Sequence, residues 1–225
     1  MTYDAALHLL DRQIVDEEGR LLAKVDDVEL RVDPDGSIRP SGLLVGMPAV
    51  LPRLGRRVGH RLTRLHVELR PAAEDRGRPL VVDIDRIASL TSEVRLSGDG
   101  RGSLRRLSAD RAAAGDRWRL GELLGTPAAG PGLHRKSVVL DVRISGRPGE
   151  SGEHRVAALV VGPGRSGALL GYDRTSDLGP ALIAAVVRWM HRHARVVELG
   201  PEVEIDCAAG RVRIGAGASF LPLRG

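Results

Sequence analysis

The stretch Ser41-Gly42-Leu43-Leu44-Val45-Gly46 returns later in the chain as Ala157-Ala158-Leu159-Val160-Val161-Gly162. A short apolar run closed by glycine reads as a buried strand. Its recurrence points to internal duplication, which has to be recognised before any motif is interpreted. Upstream of the first copy, Val28, Leu30 and Val32 alternate with Glu29 and Arg31, the pattern of a half-buried strand with its charges in water. Asp33-Pro34-Asp35-Gly36 then reads as a turn, because Pro fixes φ and Gly supplies a positive φ. Residues 12–46 therefore predict an antiparallel meander. A second match aligns Ile87 to Leu96 with Val196 to Ile205.

Between these segments the period changes. Leu54, Val58, Leu62, Leu65 and Leu69 recur every three or four residues and fall within an arc of about 80° on a helix. Arg53, Arg56, Arg57, His60, Arg61 and Arg64 lie opposite them, predicting an apolar face on a core and a basic face in solvent. Strands are expected over 79–90 and 93–96. In the second half, strands are expected near 137–144, 155–162, 195–199 and 203–206, with a helix over about 177–193. In that helix Leu178, Leu182, Val186 and Trp189 form one stripe. Ile183, Val187 and Met190 widen the apolar arc to about 180°, so that Trp189, Ile183, Val187 and Met190 are candidates for an interface.

Residues 10–47 resemble the PRC-barrel family, named for the H subunit of photosynthetic reaction centres and also found in a ribosome maturation factor. The resemblance rests on Asp16-Glu17-Glu18-Gly19, the Ala23-Lys24-Val25-Asp26-Asp27-Val28 signature, Gly36 and Leu43-Leu44-Val45-Gly46. A weaker copy spans 120–162, with Leu123-Leu124-Gly125 and Val139-Leu140-Asp141-Val142 but no Asp-x-x-Gly turn. The resemblance implies a small β-barrel that mediates protein contacts, and it carries no catalytic residues. The expected fold is α+β and β-dominated, two tandem PRC-like barrel modules over 1–98 and 118–225, each with one added helix. Residues 99–117, rich in Ser, Gly, Asp, Arg and Ala, read as a polar linker.

Composition narrows the function classes. The 225 residues carry a net charge of +5, almost all of the positive charge being Arg, with Lys only at 24 and 136. A basic balance favours anionic partners, and Arg53, Arg56, Arg57, Arg61 and Arg64 are the candidate anion or partner contact. Aromatic residues are only 2%, too few rings for a base-stacking platform. One cysteine, Cys207, excludes an internal disulfide and a cysteine metal cluster. Residues 1–10 lack the basic start and apolar run of a secretory signal. No run approaches the 18 or so apolar residues of a membrane span. A cytoplasmic location is expected.

Candidate chemistry is sparse. Gly162-Pro163-Gly164-Arg165-Ser166-Gly167 fits G-x-G-x-x-G, but no helix starts at once, so a loop is expected rather than a dinucleotide site. His191 and His193 point about 200° apart on a helix and cannot share a metal; His60 and His66 are as badly spaced. Asp83 and Asp85 share a strand face without a partner base. Cys207 has no activating base, and Asp33-Pro34-Asp35-Gly36 lacks the later ligands of a calcium loop. The expected function is non-enzymatic: an intracellular adaptor or scaffold with a protein partner, no cofactor and no small-molecule substrate. The alternatives are a basic RNA- or DNA-associated factor, such as an RNA-processing or ribosome-maturation accessory protein, and a peripheral protein on an anionic membrane surface. Self-association to a homo-oligomer is compatible with the wide apolar arc.

Overall fold

The computed structural model describes residues 2–54, 61–62, 65, 77–98, 100, 102–146, 154–164, 194–207 and 209–222. In chain order the first part contains β1 (Thr2–Asp4), α1 (Ala5–His8), β2 (Gln13–Val15), β3 (Leu21–Lys24), β4 (Asp27–Val32), β5 (Ile38–Val45), α2 (Met47–Val50), β6 (Leu80–Asp83), β7 (Ile87–Leu90) and β8 (Val94–Leu96). Then come β9 (Arg105–Arg106), α3 (Ala109–Ala113), β10 (Arg117–Arg119), α4 (Leu120–Leu123), β11 (Ala128–Ala129), β12 (Ser137–Ser145), β13 (Arg155–Pro163), β14 (Arg195–Glu198), β15 (Val203–Asp206), β16 (Arg211–Ile214) and β17 (Phe220–Pro222). The protein is a β-dominated α+β fold, and among the described residues the helices are short.

Among the described residues two five-stranded sheets dominate, in the orders β10-β4-β5-β6-β9 and β1-β12-β13-β14-β17. They correspond strand for strand. Asp27 pairs with Leu44 and Asp141 with Val160; Val28 pairs with Leu43 and Val142 with Leu159. A register shift falls between Glu29 and Leu30 in one sheet and between Arg143 and Ile144 in the other. The match of 41–46 with 157–162 is therefore a match of position. Two smaller sheets also correspond: β2 pairs in parallel with β8, and β11 with β16. Among the described residues each sheet is open, and no strand order closes into a barrel.

The second sequence match is corrected by register. β14 aligns with β13 as β6 aligns with β5, with Leu159 opposite Val197 and Leu43 opposite Val82. Residues 195–198 thus occupy the place of 80–83, not of 87–90. Both runs are strands of four residues, too short for sequence alone to fix which one is matched. The single strand expected over 79–90 is broken by a 3-10 turn at Ile84–Arg86, which moves β7 into another sheet. The meander turn forms as expected: Gly36 has φ 80°, the Asp33 N–H donates to the Ser37 carbonyl at 2.8 Å, and Asp35 accepts from the Ser37 amide and hydroxyl.

The polar linker is also corrected. Residues 99–117 carry β9, α3 and the start of β10, hydrogen-bonded to β6 and β4 of the first sheet. Nor do the two halves keep to themselves. β1 of the first part is the outer strand beside β12, and β10 of the second part is the outer strand beside β4. Each arm continues into a helical turn, α1 or α4. One buried cluster draws Leu9, Leu30 and Leu43 from the first part together with Leu120, Ile144 and Leu159 from the second. All six side chains are fully buried. Each contributes about 1.5–3 kcal/mol of transfer free energy, so the boundary between 1–98 and 118–225 runs through a shared core.

Candidate functional site

Both arms are fastened by the same device. On the first, the amides of Ala6 and Leu7 donate to the Asp141 carboxylate at 2.7 and 3.0 Å. On the second, the Gly121 amide donates to Asp27 at 2.9 Å. Each aspartate also accepts from the following amide, Val142 at 2.6 Å or Val28 at 2.8 Å. Free N–H groups at the start of a helical turn need such an acceptor. After each turn the chain reverses in the left-handed region, at Gly125 with φ 77° and at Asp11 with φ 60°; Asp is one of the few side chains that tolerate it. Asp11 and Gly125 then donate to the carbonyls of Val25 and Val139 at 2.7 and 2.8 Å.

The two carboxyls differ in their surroundings. Asp27 is fully buried, and its Oδ2 has no hydrogen-bond partner. Burial pushes it up to about 7, against the opposing pull of the Gly121 and Val28 amides and of Arg119 and Arg53. Burial also pushes Asp141 up to about 7; the three amides oppose this and the Asp4 charge reinforces it. As a residue Asp141 retains some exposure, so water screens it more and Asp27 carries the larger effect.

A second cluster lies on the first sheet. Glu29, expected in solvent from the alternation, is buried. Its carboxylate accepts from Arg111 at 2.6 Å, Arg117 at 2.9 Å and Ser41 at 2.6 Å. The same Arg111 reaches Asp83 at 2.7 Å, and Arg105 also pairs with Asp83. Burial disfavours an ionised Asp83, but these two guanidiniums outweigh it and hold its carboxyl below the usual range. Asp83 is therefore a poor base, and Asp85 sits outside the strand in the 3-10 turn. These groups satisfy one another, which makes the cluster a clamp on residues 105–117 rather than a centre for chemistry.

Of the candidate contact residues, Arg53 turns inward. Its side chain is 10% exposed and lies 3.4 Å from Asp11, and it donates to the Asp26 carbonyl at 3.0 Å. This corrects its assignment to a solvent face: a 3-10 turn at Leu51–Leu54 precedes the helical residues and rotates it toward the arm. Arg61 is exposed and Leu62 half-buried. Leu65, expected in the core, is 48% exposed. Arg56, Arg57 and Arg64 lie outside the described residues. So do Trp189, Ile183, Val187 and Met190, the whole segment 177–193, and His60, His66, His191 and His193.

Cys207 is half-buried and free. Burial and the charges of Glu122 and Asp206 push its thiol up to about 12, so it is a weak nucleophile at neutral pH. β13 runs through Gly162 to Pro163, and Gly164 has φ 126°. Among the described residues no three His, Cys, Asp or Glu side chains converge as metal ligands, and no helix is long and apolar enough to cross a membrane. No protein-family model matches the chain, and no curated protein is detectably similar to it.

The arms were missed by sequence reasoning. Tyr3-Asp4-Ala5-Ala6 and Trp118-Arg119-Leu120-Gly121 share an aromatic residue followed by a charge and two small or apolar residues. That likeness was the available signal.

Proposed function

We propose that the chain is a non-enzymatic protein-interaction module, an intracellular adaptor or scaffold built from two PRC-barrel-like units. The observation that supports this reading is the duplicated strand order, with matching pairs Asp27–Leu44 and Asp141–Val160 and a register shift after Glu29 and after Arg143, in two sheets that hold Asp27-Val28 of the signature and Asp141-Val142 of its counterpart. A protein partner is preferred over a polyanion because Arg53, one of the five arginines on the proposed basic face, spends its guanidinium inside the molecule. No cofactor or small-molecule substrate belongs to this reading.

Affinity capture of the full-length chain at two salt concentrations, with protein and nucleic acid both quantified, tests it. A protein partner retained at high salt in a fixed ratio is the expected result. Capture dominated by nucleic acid and lost steeply with salt, as counterion release requires, overturns it in favour of a nucleic-acid role.

A further inference from the structure

The two halves cover the same strand edge differently. Val25 donates to the Arg12 carbonyl at 2.9 Å and accepts from Asp11, as Val139 donates to the Thr126 carbonyl at 2.9 Å and accepts from Gly125. Val25 and Val139 therefore hold corresponding places. Backbone groups alternate sides along a strand, which turns those of Lys24 and of Val138 away from these partners. In the second half that outer side is occupied: β13 runs on past Val161, pairing Gly162 with Val138 and Pro163 with Ser137. In the first half β5 ends at Val45, and the chain departs through Gly46, at φ 102°, into α2. Arg53 closes the edge as far as the Asp26 carbonyl, at 3.0 Å. Beyond it β3 is an outer strand of its sheet, with β2 as its one neighbour among the described residues. Leu21 is 63% exposed and Met47 is 53% exposed.

We propose that the outer edge of Leu21–Lys24 is a docking site for a short, uncharged, extended segment of a protein partner, which adds as an antiparallel strand and lays apolar side chains against Leu21 and Met47.

The inference rests on the protein-interaction reading and gives it a place on the molecule. The occupant takes the course that Gly162 and Pro163 take beside Val138 and Ser137 in the second half. Strand addition of this kind draws affinity from main-chain hydrogen bonds and selectivity from alternate side chains. The charges along the edge are already met within the molecule: Lys24 pairs with Asp11 at 3.0 Å, and Arg20 with Asp16 at 2.7 Å and Glu18 at 3.1 Å. Two exposed apolar side chains and outward peptide groups are what a partner finds there, and an uncharged segment matches them. Size argues against a second copy of the chain. A stable interface between folded proteins takes about 800 Å² from each partner, more than an edge of four residues offers. A lysine on an edge strand also opposes the approach of another folded sheet, whereas a flexible segment can settle around it.

Amide exchange of the free full-length protein is the first test. The Lys24 amide should exchange much faster than that of Val25, which is bonded to Arg12; equal protection would mean that the edge is already covered and overturns the site. The probe is a capped peptide with the sequence of residues 158–163, Ala-Leu-Val-Val-Gly-Pro, titrated into nitrogen-15-labelled protein. Saturable shifts at Leu21–Lys24 and Met47, with slowed exchange of the Lys24 amide, are expected. Lys24→Pro removes the outward donor and should abolish both. If that variant does not fold, Leu21→Asp with Met47→Asp, both at exposed positions, should weaken binding roughly tenfold or more, the worth of one buried apolar side chain. No shift at these residues, or binding that the substitutions leave unchanged, overturns the proposal. So does a wild-type dimer in sedimentation that Lys24→Pro dissociates, which would assign the edge to a second copy. Affinity capture with the Leu21→Asp, Met47→Asp chain separates the two failures. A protein partner held by the wild type and lost by this variant supports the site. A partner held equally by both overturns the site and leaves the interaction reading standing, and no protein retained by the wild type overturns both.

Discussion

Replacing Glu29 by Gln asks whether residues 99–117 are a linker or part of the folded unit. Gln keeps the volume but removes the charge, and it places an NH2 group where Glu29 receives Arg111 Nη2 at 2.6 Å and Arg117 Nη1 at 2.9 Å. The Glu29 side chain is 4% exposed, and those of Arg111 and Arg117 are 21% and 20% exposed. Removing one partner of a buried ion pair costs about 3–5 kcal/mol, because the remaining charges stay buried without compensation. The residual exposure of both arginines lets water recover part of that, which places the expected loss near 3 kcal/mol. A surface pair along a linker would cost about 0–1 kcal/mol.

Urea denaturation separates these figures through the midpoint, provided the slope is unchanged. Trypsin supplies a second reading. Arg111 and Arg117 are bonded to the sheet in the native protein, so cleavage there should accelerate in the variant. A double-mutant cycle with Arg111→Met should return a coupling of about 0.5–3 kcal/mol. A loss below about 1 kcal/mol with unaltered cleavage would refute the argument that this cluster fastens the segment.

Further outcomes follow from the same contacts. Gly121→Ala should cost about 1–3 kcal/mol through overpacking against Asp27 and Arg53, read as a lowered urea midpoint; an unchanged midpoint would mean the second arm sits more loosely than 2.8 Å implies. Leu43→Ala and Leu159→Ala, at corresponding and fully buried positions, should each cost about 2–5 kcal/mol. In both, unfolding should stay a single transition by fluorescence and circular dichroism, because the core is shared; two resolved transitions would restore the picture of independent modules. Asp83→Asn should remove a stabilisation that the wild type keeps above about pH 4 and loses on further acidification, since its carboxyl is held low. The wild-type and variant stability curves should therefore converge in acid, and parallel curves would contradict this.

What the sequence revealed follows from burial on two faces. Leu43-Leu44-Val45 and Leu159-Val160-Val161 are each at most 9% exposed, so both runs are apolar without interruption, and their likeness was visible as text. The arms were hidden for the opposite reason. Strands of three residues and helices of four are shorter than any window in which a period can be counted, and their partners lie far away in sequence. Asp27 and Asp141 look like solvated charges in a strand until the distant amides that claim them are in place. Glu29 read as the polar half of an alternation because nothing local announces that Arg111 and Arg117 cover it. The low-complexity look of 99–117 misled in the same way: its composition reads as a polar linker, whereas three of its arginines are engaged by Glu29 and Asp83.

The exchange also has a direction written into it. Asp4 stands opposite Arg143 where the first arm meets the second sheet, and Arg119 stands opposite Glu29 where the second arm meets the first sheet. The signs are reversed between two positions that otherwise correspond. In the first pair the charges meet in a two-pronged contact, at 2.7 and 3.1 Å. Were the first arm to add to the first sheet of another copy of the chain, Asp4 would face Glu29. The second arm on a second sheet would set Arg119 against Arg143. Like charges directly across a strand pair are destabilising, so both homotypic arrangements are disfavoured, while the observed one gains the Asp4–Arg143 pair. Of the two positions only the first is a direct ion pair: Arg119 donates to the Pro48 carbonyl at 2.7 Å, and Glu29 is taken by Arg111 and Arg117. The Asp4–Arg143 pair is therefore the contact that distinguishes the two arms.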